Sequence, residues 1–488
     1  MIFAQSLAVH DLPCVDVAMA LPFAGAIWVA FARDPSTARK RSIFVAGVVL
    51  LAALGAWIEV HARPDGISPA RFVEAAFPHT SFAADSLSAA PMLLAALVYL
   101  MTPVVTVRTK MPRFSFAGAL VGEGLAISLL AARDAPAIAL LLALAVLPPL
   151  YELRARGKPL RVFALHMGAF VFFLFAGVFG LEKGFAWSPY SLAVAIAIRT
   201  GLAPFHLWIP DLFAHASFGR ALVFLVPMPG AYAACRLLLP GESDLLLRIL
   251  GILALATAVY AAGMALVQSE PRRFFAYFTI GASALVFVGM ETASPLGVAG
   301  ALAVWISAGV ALAGMGLSLR ALEARHGEIS LRRLNGLRTL SPVLAAGFLL
   351  SGLACVGFPG TLGFVGSELL LAAAVHSYPV VGAAVVFAAA LQGIAVVKVY
   401  FALFAGKPPR CWLPEIADRR ERIGVYAFAA LLLIGGFFPQ PVLSARHRAA
   451  EELLARRAAV LAAAEAEPAA AALSAAPGQG VGGARYAP

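Results

Sequence analysis

Five side chains in this sequence could hold or move charge inside an apolar setting: Glu123, Arg199, His206, Glu368 and Lys398. Two of them share the stretch Ile196-Ala-Ile-Arg199-Thr-Gly201-Leu-Ala-Pro204-Phe-His206-Leu-Trp208-Ile-Pro210-Asp211, an apolar run that carries one cation and is then broken by prolines. An arginine at bilayer depth costs about 2.5–3.5 kcal/mol on insertion scales, so Arg199 must face protein, water or an acid. Its guanidinium keeps its charge, with a pKa above about 12, so it can hold or repel an ion but cannot hand on a proton. Glu123 is the acid expected to pair with it, because an unpaired buried cation is costly. His206 titrates near neutrality and could relay protons; equally, it could satisfy carbonyls freed by the prolines. Lys398 could lose a proton if desolvated and form an exit path with Glu368, or its stem could snorkel to the membrane edge.

The elements that must position these groups follow from composition. The chain of 488 residues is 61% hydrophobic and only 13% charged, with a mean hydropathy of +0.87. A soluble globule could not hide that much apolar surface, so the expected class is an all-α polytopic membrane protein. A span needs about 20 apolar residues, which gives helices near 16–32, 43–60, 88–107, 115–132, 135–152, 160–181, 187–214, 218–239, 244–268, 273–291, 295–319, 341–376, 379–405 and 423–440, about fourteen in all. Basic residues cluster in alternate connections: Arg33, Arg39, Lys40 and Arg41; Arg108, Lys110 and Arg113; Arg154, Arg156, Lys158 and Arg161; Arg332, Arg333 and Arg338; Lys407, Arg410, Arg419, Arg420 and Arg422. The positive-inside rule then places those loops in the cytoplasm and both termini on the outer face. Residues 1–15 carry His10 and Asp11 and no basic start, so the first span is expected to remain as a helix. The net charge of +11 is read as orientation in a lipid bilayer rather than as a nucleic-acid footprint.

Two expected spans are longer than a bilayer requires and are interrupted, one at Gly201 and Pro204, the other at Gly357, Pro359 and Gly360. Each interruption falls in the fourth of five consecutive helices, and an odd number of spans makes the two sets inverted repeats. Paired discontinuous helices point to an ion or substrate site near the midplane, where freed backbone groups are tolerated only around protein or water. The expected domain order is residues 1–114 for the first three helices, 115–239 and 244–405 for the repeats, 423–440 for the last span, 441–466 for a short C-terminal helix and 467–488 for a disordered tail. Cys14, Cys235, Cys355 and Cys411 show neither zinc nor redox spacing. No metal site, no dinucleotide-binding glycine pattern and no iron–sulfur framework is expected, hence no cofactor and no active site in this chain.

The run from Arg199 to Asp211 resembles the broken seventh helix of the antiporter-like membrane subunits shared by respiratory complex I, its hydrogenase relatives and the Mrp cation/proton antiporters. Arg272-Arg-Phe-Phe-Ala-Tyr277-Phe-Thr-Ile280, Gly357-Phe-Pro-Gly360-Thr-Leu-Gly-Phe364-Val-Gly366 and Lys398-Val-Tyr-Phe-Ala-Leu-Phe-Ala-Gly406 are similar to the family's tenth, broken twelfth and thirteenth helices. The likeness spans roughly residues 80–440 and is nearest to the subunit M branch of NADH-quinone oxidoreductase. It implies fourteen helices, a multi-subunit complex with membrane and redox partners that carry all cofactors, and a quinone, where there is one, in a neighbouring subunit.

The departures from the family concern its proton relay. The family's seventh-helix lysine is replaced by Arg199, its fifth-helix glutamate position is Leu144, its eighth-helix lysine position is Met228, and the span 295–319 has neither histidine nor lysine. Glu368 stands one residue from the family's twelfth-helix acid. The resemblance therefore implies an antiporter-like subunit of a complex I-related, ion-translocating or redox-coupled assembly, with its own proton translocation impaired or lost. The competing expectation is the membrane subunit of an ion-driven inorganic-carbon uptake system, which a neighbouring gene for a zinc-containing soluble partner would distinguish.

Overall fold

Every apolar segment marked out by hydropathy is helical. The computed structural model describes residues 13–241, 243–407 and 419–475. It opens with α1 (Cys14–Ala30), α2 (Pro35–Ala62), the short α3 (Arg71–Ala76) and α4 (Ala89–Val105). A first set follows: α5 (Phe116–Ala131), α6 (Ala135–Leu144), α7 (Leu147–Ala155), α8 (Arg161–Glu182), α9 (Ser188–Thr200), α10 (Trp208–His215), α11 (Phe218–Leu225) and α12 (Pro229–Ala233), which runs into a π-helical turn at Ala234–Leu238. The second set is α13 (Asp244–Val267), α14 (Pro271–Glu291), α15 (Pro295–His326), α16 (Pro342–Cys355), α17 (Leu362–Ser377) and α18 (Pro379–Phe404), and the chain ends with α19 (Arg419–Phe437) and α20 (Gln440–Ala475). Among the described residues eight helices have the length and composition of a membrane span, or nine if α19 and α20, bent by 76°, are counted together. Five further apolar helices are shorter, at 10–17 residues.

Local chemistry fixes the helix starts. Asp34 and Ser115 accept from the backbone N–H groups of Thr37 at 2.7 Å and Gly118 at 3.1 Å, and Ser294 accepts from Gly297 at 3.1 Å, satisfying donors that the helix itself leaves open. Proline begins α2, α14, α15, α16 and α18, where its missing N–H costs nothing. In apolar helices without a polar face, packing decides which ones lie inside. The apolar stretches of Phe218–Leu238, α14 and α15 are 94% buried, whereas those of α8 and α18 are 33% buried, so the first three form the centre and the last two face outward. α15 approaches α17 through Gly300 and Gly366, where a Cβ would lie 2.7 Å from Leu370 N and 2.9 Å from Val304 N, respectively. Any side chain at either position would push the helices apart.

Arginines hold both ends of the bundle. At the end that carries the basic loops, Arg39 Nε donates to Pro103 O at 2.9 Å and Arg320 to Thr102 O at 2.7 Å, and Arg272 forms a bidentate pair with Glu323. At the other end α20 is the strap: Arg446 donates to Ser86 O and Leu87 O, and Arg457 to Leu239 O and Asp244. α20 continues to Ala475, beyond the expected limit at 466. The expected tail from 476 onward and Cys411 lie outside the described residues.

Candidate functional site at the broken helices

The first break begins where α9 stops at Thr200. Gly201 closes it in the left-handed region, φ 73°, a conformation that carries no Cβ penalty only in glycine. The freed groups find partners: Trp208 Nε1 donates to Ile198 O at 2.8 Å, and Ala203 N donates to Thr257 Oγ1 of α13 at 3.0 Å. Pro204 and Leu207 are exposed, while Pro210 is buried in the first turn of α10. His206 is 6% exposed, with Nε2 3.1 Å from the Tyr260 hydroxyl and the Tyr277 ring nearby. Its Nδ1 is buried without a partner. The second break uses Gly357 at φ 85° and Gly360 at φ 80°, with Phe358 and Pro359 exposed between α16 and α17.

Arg199 points into the bundle and is 2% exposed. One N–H donates to Phe224 O at 3.2 Å, and the guanidinium carbon lies 4.1 Å from the Phe224 ring centre and 5.8 Å from that of Trp208. A desolvated cation–π contact contributes about 2 kcal/mol and a hydrogen bond from a charged group about 1.5–3, which together offset much of a burial cost of several kcal/mol. The pairing with Glu123 expected from the sequence is not formed. Glu123 is fully buried on α5, and both its carboxylate oxygens lack a hydrogen-bond partner. The aromatic box around Arg199 takes the place of the acid.

The remaining expected residues do not converge on Arg199. Leu144 is half-buried at the last turn of α6, so no carboxylate stands at that position. Met228 is buried with φ 49° between Pro227 and Pro229. It marks a further interruption, between α11 and α12, where hydropathy predicts one helix over 218–239; Pro227-Met-Pro229-Gly230 is the signal that could have found it. Glu368 lies on the exposed face of α17. Lys398 is exposed too, and its Nζ donates to Leu266 O at the end of α13 at 2.6 Å, a contact of the snorkelling kind. Among the described residues no hydrogen bond or ion pair joins Glu368 to Lys398.

Buried polar groups that sequence patterns do not reveal complete the interior. Arg220 donates to Glu152 at 3.0 Å and to Gly118 O at 2.8 Å. Arg236 of the π-helical turn pairs with Asp85 at 2.5 Å and donates to the Tyr232 hydroxyl at 3.0 Å. Burial alone would raise the Asp85 carboxyl, but the adjacent Arg236 guanidinium outweighs it and holds it below the usual range. In the second set, Gln392 of α18 is fully buried with both amide atoms unpartnered, against Gly281 of α14. The pairs Arg220–Glu152 and Arg236–Asp85 have no signature in sequence spacing, since they join residues 68 and 151 positions apart. Among the described residues no cluster of His, Cys, Asp or Glu could hold a metal ion.

The comparisons with known proteins agree with this frame. The model of the family described as NADH:quinone oxidoreductase/Mrp antiporter, transmembrane, matches residues 138–392. NADH-quinone oxidoreductase subunit M of Mycobacterium tuberculosis is 27% identical over 274 residues, which is 53% of this chain and 48% of that protein. The F(420)H(2) dehydrogenase subunit M of Methanosarcina mazei is 27% identical over 263 residues, 51% of this chain and 52% of that protein. The chain thus spans about half the length of the curated relatives it matches. A chain of respiratory complex I from Thermus thermophilus with bound NADH superposes with a TM-score of 0.79 at 24% identity, covering 91% of this chain and 99% of that one. A chain of the Mrp complex from Dietzia sp. DQ12-45-1b gives 0.80 at 17% identity, covering 92% and 99%. At those identities the structural likeness shows a shared fold, and the family match carries the assignment: this multi-spanning membrane protein belongs to the NADH:quinone oxidoreductase/Mrp antiporter transmembrane family.

Proposed function

We propose that the chain is an antiporter-like membrane subunit of a complex I-related or Mrp-type multi-subunit complex, seated in a bacterial inner membrane with both termini outside. In this reading it keeps the helical frame of the family, as two inverted five-helix repeats, but does not itself move protons. Redox or ion-carrying partners supply the chemistry, including a quinone where the complex uses one. The observation that carries the proposal is Arg199: a permanently charged group, buried in an aromatic box with no carboxylate partner among the described residues. A proton relay needs neighbouring groups that gain and lose protons in turn. Apolar Leu144 and Met228 stand on either side of that role, and Glu368 and Lys398 face away from the interior.

Outward-facing charges on α17 and α18 suit contacts with neighbouring subunits or lipid headgroups, which makes their removal an assembly defect. Glu368→Ala and Lys398→Ala should lower the amount of assembled complex in membranes. Flux per assembled complex, read as pH-dye quenching in vesicles and normalised to complex content, should stay within about twofold, well under the tenfold that 1.4 kcal/mol would give. Normal assembly with abolished quenching in either variant would establish a proton route through these residues and end the scaffold reading. Affinity purification of the tagged chain should bring down membrane and redox subunits together; recovery of a zinc-containing soluble partner instead would redirect the assignment to inorganic-carbon uptake.

A further inference from the structure

Among the described residues no acid of the first set hydrogen-bonds Arg199: Glu123 is fully buried on α5, but both its oxygens are unpartnered. Arg220 is balanced by Glu152, whose two oxygens accept from Arg220 Nε at 3.0 Å and from Ser217 N at 2.8 Å. Arg199 has no such balance: its Nε is buried and unpartnered, and its one hydrogen bond goes to a neutral carbonyl. Two small cavities flank its side chain. One of about 30 Å³ is lined by Tyr99, Arg199, Arg220, Phe224 and prolines 227 and 229. The other, of about 20 Å³, is lined by Arg199, Thr200, Met228, Thr279 and Ser283. A water molecule needs roughly 10–15 Å³ of such space, so the larger cavity accommodates a monatomic ion or one to two waters and is small for an oxyanion. Its polar lining is Tyr99, Arg199 and Arg220; Arg220 is committed to Glu152 and to Gly118 O, which leaves the Arg199 guanidinium and the Tyr99 phenol as hydrogen-bond donors toward an anion.

We propose that the cavity between Tyr99, Arg199 and Arg220 binds a monovalent anion of chloride size. The anion accepts from Arg199 and from the Tyr99 hydroxyl and supplies the negative partner that no side chain makes with Arg199 directly. The site stands on the geometry of this chain and does not depend on whether the subunit relays protons.

The test is thermal stability of the detergent-purified complex containing the full chain, measured in sodium chloride, bromide, bicarbonate, sulfate or gluconate at one ionic strength. Chloride and bromide should raise the midpoint saturably over gluconate, and sulfate and bicarbonate should not. Arg199→Met should abolish the chloride response. Tyr99→Phe, which keeps the ring and its packing, should raise the half-saturating chloride concentration several-fold, so the proposal remains testable even if the Arg199 variant assembles poorly. Equal midpoints in chloride and gluconate would show that water alone fills the cavity and would overturn the proposal. A response shared by sulfate, or unchanged in both variants, would mark a general salt effect and overturn it equally. A response to bicarbonate alone would overturn the assignment of a chloride-sized ligand.

Discussion

The two broken helices share a backbone device and differ in what they do with charge. At the first, between α9 and α10, the cation Arg199 turns inward and is 2% exposed. At the second, between α16 and α17, the charges Glu368 and Lys398 of α17 and α18 turn outward, and the buried polar residues of those helices, such as Gln392, are uncharged. The packing differs in the same sense. A Cβ on Gly201 would lie 2.3 Å from Ile209 Cδ1, whereas one on Gly360 would meet nothing within 4 Å. The first break is closed around a fixed charge; the second holds no such charge and is open at Gly360, although a Cβ on Gly357 would lie 2.8 Å from Ser367 Oγ. Preserved breaks therefore do not by themselves make a conduction path, since titratable groups must also face one another across the interior.

The largest test of that contrast is steric. Gly201→Ala should cost about 1–2 kcal/mol for a left-handed alanine plus about 1–3 kcal/mol for overpacking against Ile209, visible as a lower thermal midpoint of the purified complex. Gly360→Ala should show only the first of these costs. Equal losses at the two sites would erase the distinction between a closed and an open break. A smaller effect is expected at Arg199 itself. In gluconate, where the proposed anion is absent, the guanidinium has no acid partner to strand, and Arg199→Met should be neutral or raise the midpoint, in line with apolar replacement of buried charge. A loss comparable with the ~3–5 kcal/mol of a broken buried pair would reveal a carboxylate partner after all. A modest loss is expected at His206, where replacement by Gln should cost about 1 kcal/mol for the bond to Tyr260.

Hydropathy is sufficient to locate the helices, because a lipid-facing or fully buried helix must be apolar along its whole length. Gly201, Pro204, Gly357 and Gly360 likewise announce the two breaks, since only the backbone needs of a turn explain them there. The interruption at Met228 is harder to see. Pro227 and Pro229 lie in an apolar run that hydropathy reads as continuous, and the left-handed Met228 is held from outside, with Trp305 Nε1 donating to Pro227 O at 3.0 Å. The surroundings of Arg199 escape sequence reasoning for a related reason. Charge neutrality suggests Glu123, but the sequence carries no sign that Phe224 and Trp208 close around the guanidinium from two other helices. The clamps made by Arg236, Arg446 and Arg457 join residues more than 150 positions apart, a distance over which spacing conveys nothing.

The central claim, that this subunit holds its frame without relaying protons, is tested most directly at Glu123, the fully buried carboxylate of α5. Glu123→Gln keeps the shape of the side chain and removes its titration. In membrane vesicles, pH-dye quenching normalised to assembled complex should match the unsubstituted protein. Normal assembly with quenching reduced tenfold or more would place Glu123 in a working proton path and contradict the account.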